Sequence, residues 1–379
     1  MTKITIIRHA EAEGNLYRRV HGWFNSNITP TGRAQIQRLE ERFRDDVANG
    51  INYDVIYSSD LIRTMETAGA VSRAAGISII PHPGLREIHS GEWEDRTWGY
   101  CFRNYSELLN TYASHPEWKI EGGESIETLY RRLSDTLEEI LAENTGKSIC
   151  IVSHAVAIRA LLCRMNKTPT SEFTSLPEVD NASVTCYTYD GKNFNEVYVN
   201  DTSHLDGIIP LRAILDGHAG RSAQLWFRSV NPKDDLHVVE EFWRDSWKAV
   251  HGNLYGFDGP TVRSETRRML RLNPDSVCFA MLDDQEVGII AMDSGDLTMD
   301  DCGHISLFAI APEYRGKRLA VQLLGQAVSF YRALGRKYLK LYVAPDNHRA
   351  IQFYKKNDFV EKGYGPGIHD NLLVMIKKI

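Results

Sequence analysis

The chain has 379 residues, 42% hydrophobic and 25% charged, which exceeds what one core usually organises and supplies enough apolar mass for two domains. A formal net charge of −6 lacks the basic excess needed to hold a nucleic-acid backbone, and no segment reaches the ~18 apolar residues of a membrane span. Nucleic acid and membrane are therefore not the expected partners, and any anion site must be local.

Six cysteines, Cys101, Cys150, Cys163, Cys186, Cys278 and Cys302, are scattered without CxxC or zinc spacing. They read as buried thiols, and no metal is expected. The start of the chain runs directly into a strand and lacks the apolar stretch and cleavage site of an export signal. Both features fit a reducing, cytoplasmic setting.

In chain order, residues 3–7 form a short β-branched run that ends at Arg8 and His9, a charged pair at a strand's carboxyl end, where open α/β sheets hold ligands. Thr29 and Pro30 make a helix start, and Ile36, Leu39, Phe43 and Val47 recur at helical spacing before Gly50. A second strand over 55–57 ends in Ser58 and Ser59, with a helical stretch over 61–75 behind it. The spacing of Leu129, Leu133, Leu137 and Ile140 predicts a helix over 125–141. Its cap is weak, because Thr128 stands where a capping box has Glu or Gln. Residues 148–152 read as a buried central strand ending at Ser153 and His154. Alternating segments over 183–189 and 196–199 flank the turn Asp190-Gly191.

A lone Ser-His pair carries little meaning, since the chain has three, at Ser114, Ser153 and Ser203. Only the one at Ser153 follows a buried-strand pattern, as Arg8-His9 does, so His9 and His154 could lie side by side on neighbouring strand ends. Five motifs then occur in order: Arg8-His9-Ala-Glu-Ala-Glu-Gly-Asn15, Thr29-Pro-Thr-Gly32, Ser58-Ser-Asp-Leu-Ile-Arg63-Thr-Met-Glu-Thr67, Leu85-Arg-Glu87-Ile-His-Ser-Gly91-Glu-Trp93-Glu and Val152-Ser-His154-Ala. With Asn200-Asp-Thr-Ser-His204-Leu after them, they resemble the histidine phosphatase superfamily in its phosphoglycerate mutase-like branch, over roughly residues 1–205.

That resemblance implies a phosphomonoesterase. His9 would be the nucleophile that forms a phosphohistidine, and Arg8, Arg63 and His154 would surround the phosphoryl oxygens, with Asn15 as a neutral donor. Asn15 also reads simply as a turn residue after Gly14. Glu87 matches the acid/base position, with Glu92 and Glu94 as neighbouring alternatives. The family's usual glycines after the two histidines are Ala10 and Ala155 here, changes small enough for a modest effect. A mutase would return the phosphoryl group to substrate, but the family's mutases generally carry insertions that this short half lacks.

Residues 206–222 lose periodicity and contain Gly207, Pro210, Gly217 and Gly220, the expected linker. The second half, 223–379, reads as strand 225–230, helices 234–250 and 261–272, strands 277–282, 287–293 and 304–310, helix 318–334, strand 339–343, helix 350–357 and strand 372–376. This order is α+β rather than doubly wound. Ala309-Ile-Ala-Pro312-Glu-Tyr-Arg315-Gly316-Lys317-Arg318-Leu-Ala320 puts a basic, glycine-containing turn directly before an amphipathic helix. Backbone N–H groups at such a start can cradle pyrophosphate, although a solvated basic turn has the same composition.

Together with Ala344-Pro-Asp-Asn347-His-Arg-Ala350-Ile-Gln-Phe353-Tyr354, this turn resembles the GNAT acetyltransferases. The resemblance implies that acetyl-CoA binds along Ile310, Arg315, Gly316, Lys317, Arg318, Leu319 and Ala320, with Asn347 near the pantetheine arm and Tyr354 protonating the departing thiolate. Tyr354 also reads as a core aromatic. Arg318 stands where the family usually has a second glycine. His304 and Asp301 are candidates for the amine-activating base, and Trp243 and Trp247 read as core.

The whole is expected to be α/β: an N-terminal three-layer α/β/α histidine phosphatase domain followed by a C-terminal α+β GNAT domain. Its partners would be a small phosphomonoester and an amine acceptor. The alternatives are a phosphatase governed by a CoA-sensing, non-catalytic second domain, and a mutase.

Overall fold

The computed structural model describes residues 1–112, 115–209, 223–295, 301–365 and 371–379. Its contacts divide the chain into two compact units, one of Met1–Arg96 with Cys101–Ser222, the other of Thr97–Tyr100 with Ala223–Ile379. Of the expected linker, residues 210–222 lie outside the described residues.

The first unit is built on a six-stranded sheet of β1 (Thr2–Arg8), β2 (Val55–Ser58), β3 (Ile79–Pro81), β4 (Ser148–Ser153), β5 (Val184–Tyr189) and β6 (Phe194–Asp201), in the order β3-β2-β4-β1-β5-β6. β1, β2, β3 and β4 pair in parallel, β5 runs antiparallel to β1, and β6 runs antiparallel to β5. Because side chains alternate along a strand, the two sheet faces carry separate cores. Ile4, Ile6, Val55, Ile149 and Ile151 meet Leu129, Leu133 and Leu137 of α4 (Ile126–Glu143) and Ile158 and Leu161 of α5 (Ala155–Asn166). Ile7, Ile56, Cys150 and Val152 meet Ile36, Leu39 and Phe43 of α1 (Pro30–Ala48) and Ala68 and Val71 of α2 (Ile62–Ala75). Three layers follow.

The helix ends obey their sequence signals. Thr29 accepts from the Gly32 N–H at 3.0 Å, a cap worth about 1 kcal/mol. The cap at Ser125 is stronger than its sequence implies. Thr128 donates its N–H to the Ser125 hydroxyl at 3.1 Å and accepts from the Ser125 N–H at 2.9 Å, so a hydroxyl performs the return bond expected of Glu. β3, α3 (Trp98–Tyr112) and a one-turn helix over Glu13–Leu16 have no counterpart in the sequence reading.

The second unit contains β7 (Trp226–Ser229), α6 (Leu236–His251), α7 (Gly259–Leu272), β8 (Val277–Leu282), β9 (Gln285–Asp293), β10 (Cys302–Ile310), α8 (Ala320–Ala333), β11 (Tyr338–Val343), α9 (His348–Lys356), β12 (Val360–Gly365) and β13 (Leu372–Lys378). Its sheet runs β12-β13-β11-β10-β9-β8-β7, with β10 and β11 as the parallel pair. That pairing spans Cys302↔Tyr338 to Ile305↔Leu341 and then stops, although β10 continues to Ile310 and β11 to Val343. The two strands therefore part toward their carboxyl ends, next to an irregularity in β10 between Ile305 and Leu307. β12 has no counterpart in the sequence reading. Gly303 is needed for close packing, since a Cβ there would lie 2.3 Å from the Tyr331 ring of α8.

All six cysteines are free and buried. No described helix is long and apolar enough to cross a membrane, and no described group of three His, Cys, Asp or Glu side chains could hold a metal ion.

Candidate functional site

In the first unit, parallel pairing brings the two strand-end histidines together. Arg8 of β1 lies opposite Ser153 of β4, and the His9 N–H donates to the Ser153 carbonyl at 2.9 Å. The His9 and His154 rings stand 5.2 Å apart, tilted by 60°. His9 Nδ1 is 2.8 Å from the Ala10 carbonyl, which can only accept. The neutral ring therefore carries its proton on Nδ1 and leaves the Nε2 lone pair open. Burial first, then the Arg63 and Arg8 guanidiniums and His21, hold this imidazole well below its ordinary pKa.

Arg63, at the start of α2, is fully buried. Its Nε–H donates to His154 Nδ1 at 3.2 Å, Nη1 to the Phe24 carbonyl at 3.1 Å, and Nη2 to the His21 and Gly22 carbonyls at 2.8 and 2.7 Å. Four of its five N–H groups are thus engaged with protein, and one on Nη1 remains. Burial lowers its pKa to about 10, which still leaves it charged at neutral pH. Since His154 Nδ1 accepts from Arg63, its Nε2–H donates to the Ser59 hydroxyl at 2.8 Å. Burial, Arg63, His9, His21 and Arg8 hold His154 well below its ordinary pKa. Arg8 donates through Nη1 to the Val179 carbonyl.

Glu87 occupies the N-terminus of α5. Its Oε1 accepts from the Ile88 and Ala157 N–H groups, both at 2.9 Å, and its Oε2 from Val156 at 3.1 Å. The helix dipole and these donors favour the carboxylate. Burial outweighs them, and the pKa is raised. Oε2, with the single donor, is the oxygen better placed to carry a proton. The sequence alternatives are otherwise occupied: Glu92 is exposed, and Glu94 accepts from the N–H groups of Trp23, Phe24 and Ser90 at 2.8, 2.8 and 2.9 Å.

Sequence reasoning missed His21. Its ring stands edge-on to His9, centroids 5.7 Å apart. Asn15 Nδ2 donates to its Nε2 at 3.1 Å, and its Nδ1 meets the Ser26 hydroxyl at 3.0 Å. Burial and the Arg63 and Arg8 charges hold it well below its ordinary pKa. His21 lies in a segment without strand or helix periodicity. The available signal was Gly14, where a Cβ would fall 2.3 Å from the His21 ring. Ser59, Thr67 and Asn181 were likewise not singled out as site residues.

In the second unit, β10 leads into the turn of Arg315, Gly316, Lys317 and Arg318, all exposed, before α8. Gly316 has φ of 80° and Arg318 φ of 59°. Arg318 thus adopts the left-handed backbone that a glycine would, and α8 begins at Ala320 rather than at Arg318 as the sequence implied. Leu319, the residue before the helix, offers no side-chain cap, and Arg315 Nε donates to the Ile310 carbonyl at 2.9 Å.

Asn347 caps α9, its Oδ1 accepting from the Ala350 N–H at 3.1 Å. Tyr354 is buried against Phe308 of β10, Phe353 and Phe359, with ring centroids 6.0, 5.4 and 5.3 Å away, and burial raises its pKa. It therefore faces β10 in the stretch where β10 has left β11. Of the base candidates, Asp301 is ion-paired with Lys337 at 2.7 Å, and His304 lies where β10 and β11 are still joined, its ring 5.4 Å from that of Tyr342. Trp243 packs against the core as expected. Trp247 instead sits among His251 and Phe257 and donates its indole N–H to the Tyr255 carbonyl.

Residues 4–202 match the profile of the histidine phosphatase superfamily (branch 1), and residues 237–359 that of the acetyltransferase (GNAT) family. The chain is 29% identical over 206 residues to phosphoserine phosphatase 1 of Hydrogenobacter thermophilus, an alignment covering 54% of this chain and 95% of that protein. It is also 29% identical over 208 residues to phosphoglycerate mutase-like protein 4 of Arabidopsis thaliana, covering 54% and 87%. Among solved structures, Bacillus stearothermophilus YhfR superposes with a TM-score of 0.51 and 28% identity, covering 54% of this chain and all of that one. The motifs, the three-layer sheet and these matches lead to one statement: the chain belongs to the histidine phosphatase superfamily, branch 1, and carries a GNAT-family acetyltransferase domain in its second half.

Proposed function

We propose that the chain is a bifunctional enzyme, hydrolysing a small phosphomonoester through a phosphohistidine on His9 and transferring acetyl from acetyl-CoA to an amine. The observation that carries the first activity is the Nδ1 bond to the Ala10 carbonyl, which leaves the nucleophilic lone pair on His9 Nε2. That nitrogen attacks phosphorus as the P–O bond to the leaving group breaks, and the Glu87 proton goes to the departing oxygen. Water then attacks phosphorus as the P–N bond breaks, giving a proton back to Glu87, returning the lone pair to His9 Nε2 and releasing inorganic phosphate. Arg8 and the free Nη1–H of Arg63 stabilise charge on the equatorial oxygens, and Asn15 adds a neutral donor. His154, through Arg63 and Ser59, fixes the orientation of the guanidinium.

For the second activity, the backbone from Arg315 to Ala320 holds the pyrophosphate of acetyl-CoA at an uncapped helix start. The opening between β10 and β11 receives the pantetheine arm next to Ile310 and Asn347. Tyr354 donates its proton to the thiolate. The glycine-like backbone at Arg318 supports a turn able to bind acetyl-CoA, and thiol release that depends on an amine separates a transferase from a sensor that binds without turnover. We assign residues 1–205 to the phosphatase, 223–379 to the transferase and 206–222 to the connection.

A phosphorylated amino acid of the phosphoserine type suits both chemistries, having a phosphate for one site and an amine for the other. Phosphate and thiol release should be followed with O-phosphoserine, phosphoethanolamine, amino-sugar phosphates and 3-phosphoglycerate, each with and without acetyl-CoA. His9→Ala is expected to abolish phosphate release and leave thiol release largely intact. Phosphate release persisting in that variant overturns the nucleophile, isomer formation without phosphate points to a mutase, and unrelated substrates for the two activities sink the idea that one phosphorylated amine serves both sites.

A further inference from the structure

The segment 179–183, just before β5, lies outside the sequence motifs, yet it completes the surroundings of the nucleophile. Three consecutive peptide units around His9 are each held from two sides. In the first, the Arg8 carbonyl accepts from the Ala182 N–H at 3.1 Å, and the His9 N–H donates to Ser153 at 2.9 Å. In the second, the His9 carbonyl accepts from Asn181 Nδ2 at 3.0 Å and from the Ala182 N–H at 3.3 Å, while the Ala10 N–H donates to Thr67 Oγ1 at 3.0 Å. In the third, the Ala10 carbonyl accepts the His9 Nδ1 proton at 2.8 Å, and the Glu11 N–H donates to Gln35 Oε1 at 2.7 Å. The ring is tethered to its own backbone, so the orientation of these peptides is the orientation of the attacking lone pair.

Asn181 has a further contact. Its Nδ2 also donates to Asn15 Oδ1 at 3.3 Å, and the Ala12 N–H donates to the same oxygen at 3.0 Å. With its oxygen held, Asn15 must turn Nδ2 the other way, where one hydrogen reaches His21 Nε2 at 3.1 Å and the second remains for an anion. The preceding residue, Asp180, is held by Asn200, which accepts from the Asp180 N–H at 2.7 Å and donates to the Asp180 carboxylate at 2.9 Å. Arg8 reaches the carbonyl of Val179 in the same segment.

We propose that Asn181 is a positioning residue for phosphoryl transfer, its one amide nitrogen setting both the peptide that carries His9 and the polarity of the Asn15 amide. A side chain of the same shape that cannot donate would leave the His9 carbonyl to the longer Ala182 bond alone and the Asn15 oxygen to the Ala12 N–H alone, loosening both the ring's peptide and the amide that faces the phosphoryl group. The inference rests on the phosphatase reading.

The test uses the full chain with p-nitrophenyl phosphate and O-phosphoserine, comparing wild type with Asn181→Ala, Asn181→Asp and Asn181→His, with the fold of each checked by thermal melting. Asn181→Ala is expected to lower kcat by about 10- to 100-fold, the scale of a misplaced reacting group, with a smaller change in KM. Asn181→Asp should lose more and move the acid limb of kcat/KM to higher pH, because a carboxylate beside His9 favours the unreactive imidazolium. Asn181→His keeps an N–H donor at similar reach and should recover part of the loss, which also decides the matter if the other two variants melt early. Folded Asp and Ala variants with the wild-type rate and pH limb overturn the proposal, as does a folded His variant no better than Ala. Wild type inactive on both substrates would instead remove the phosphatase reading.

Discussion

Arg63 donates its Nε–H to Nδ1 of His154 across 3.2 Å, so two side chains expected to grip a phosphate from separate directions are joined to each other. The same guanidinium holds three carbonyls of the loop that carries His21, Gly22 and Phe24. Its planar fork serves the loop and the second histidine at once.

Arg63→Lys should therefore fail despite keeping the charge, because an ammonium cannot span these four acceptors in their fixed directions. We expect phosphatase kcat/KM to fall by about 100- to 1,000-fold and stability by about 2 to 4 kcal/mol. Phosphate-release kinetics and denaturant unfolding measure the two losses. A lysine variant with near-normal values for both would show that the fork has no role beyond its charge.

Stability should also depend on pH through the three clustered imidazoles. His9, His21 and His154 are each held well below the ordinary value by burial and the neighbouring cations. Each stays neutral in the folded chain where the unfolded chain, with pKa near 6.5, takes up a proton. The unfolded state binds more protons below that pH, so stability from these groups is complete above about pH 7 and declines as pH falls below about 6.5. The slope approaches about 1.4 kcal/mol per pH unit for each imidazole that titrates only on unfolding. Denaturant midpoints between pH 5 and 8 test this, and His21→Asn should flatten the curve. An unchanged slope in that variant would exclude His21 from the linkage.

Arg318 has a left-handed backbone with φ of 59°, which costs an ordinary residue about 1 kcal/mol. Arg318→Gly should raise stability by about 0.5 to 1 kcal/mol after the added freedom of the unfolded chain is counted. Removing the exposed cation should also raise the KM for acetyl-CoA a few-fold at low salt, an effect that fades as salt is added. Calorimetry and thiol-release kinetics report the two. A destabilised glycine variant would mean that Arg318 makes contacts outweighing the strain.

Much of the scaffold was legible because its signals are local. A β-branched run marked β1 and a continuous apolar run β4, Thr29-Pro30 marked the start of α1, and placing His9 and His154 at strand ends allowed for their proximity before any pairing was known. What escaped depends on long-range hydrogen bonds. The direction of the Arg63 fork, the approach of Asn181 to His9 and the packing of His21 against Gly14 join residues with no shared periodicity. β12 was missed for a similar reason: its residues are largely exposed, and its pairing with β13 is interrupted between Glu361 and Tyr364. The expectation that Arg63 and His154 surround a phosphoryl group came from the motifs, whereas the bond that joins the two side chains is set by long-range geometry.

The six buried thiols have a practical consequence at the bench. A thiol-reactive dye added to the native chain meets no exposed cysteine, so colour developing with acetyl-CoA and an amine counts free CoA and little else. Burial also raises the thiol pKa at Cys101, Cys150, Cys163, Cys186 and Cys278, which keeps the reactive thiolate scarce. The same dye in rising denaturant becomes a gauge of the fold, with Cys150 reporting the first sheet and Cys278 and Cys302 the second. One reagent can thus follow turnover and, in a separate tube, unfolding, where a step of four thiols marks the first unit and a step of two the second.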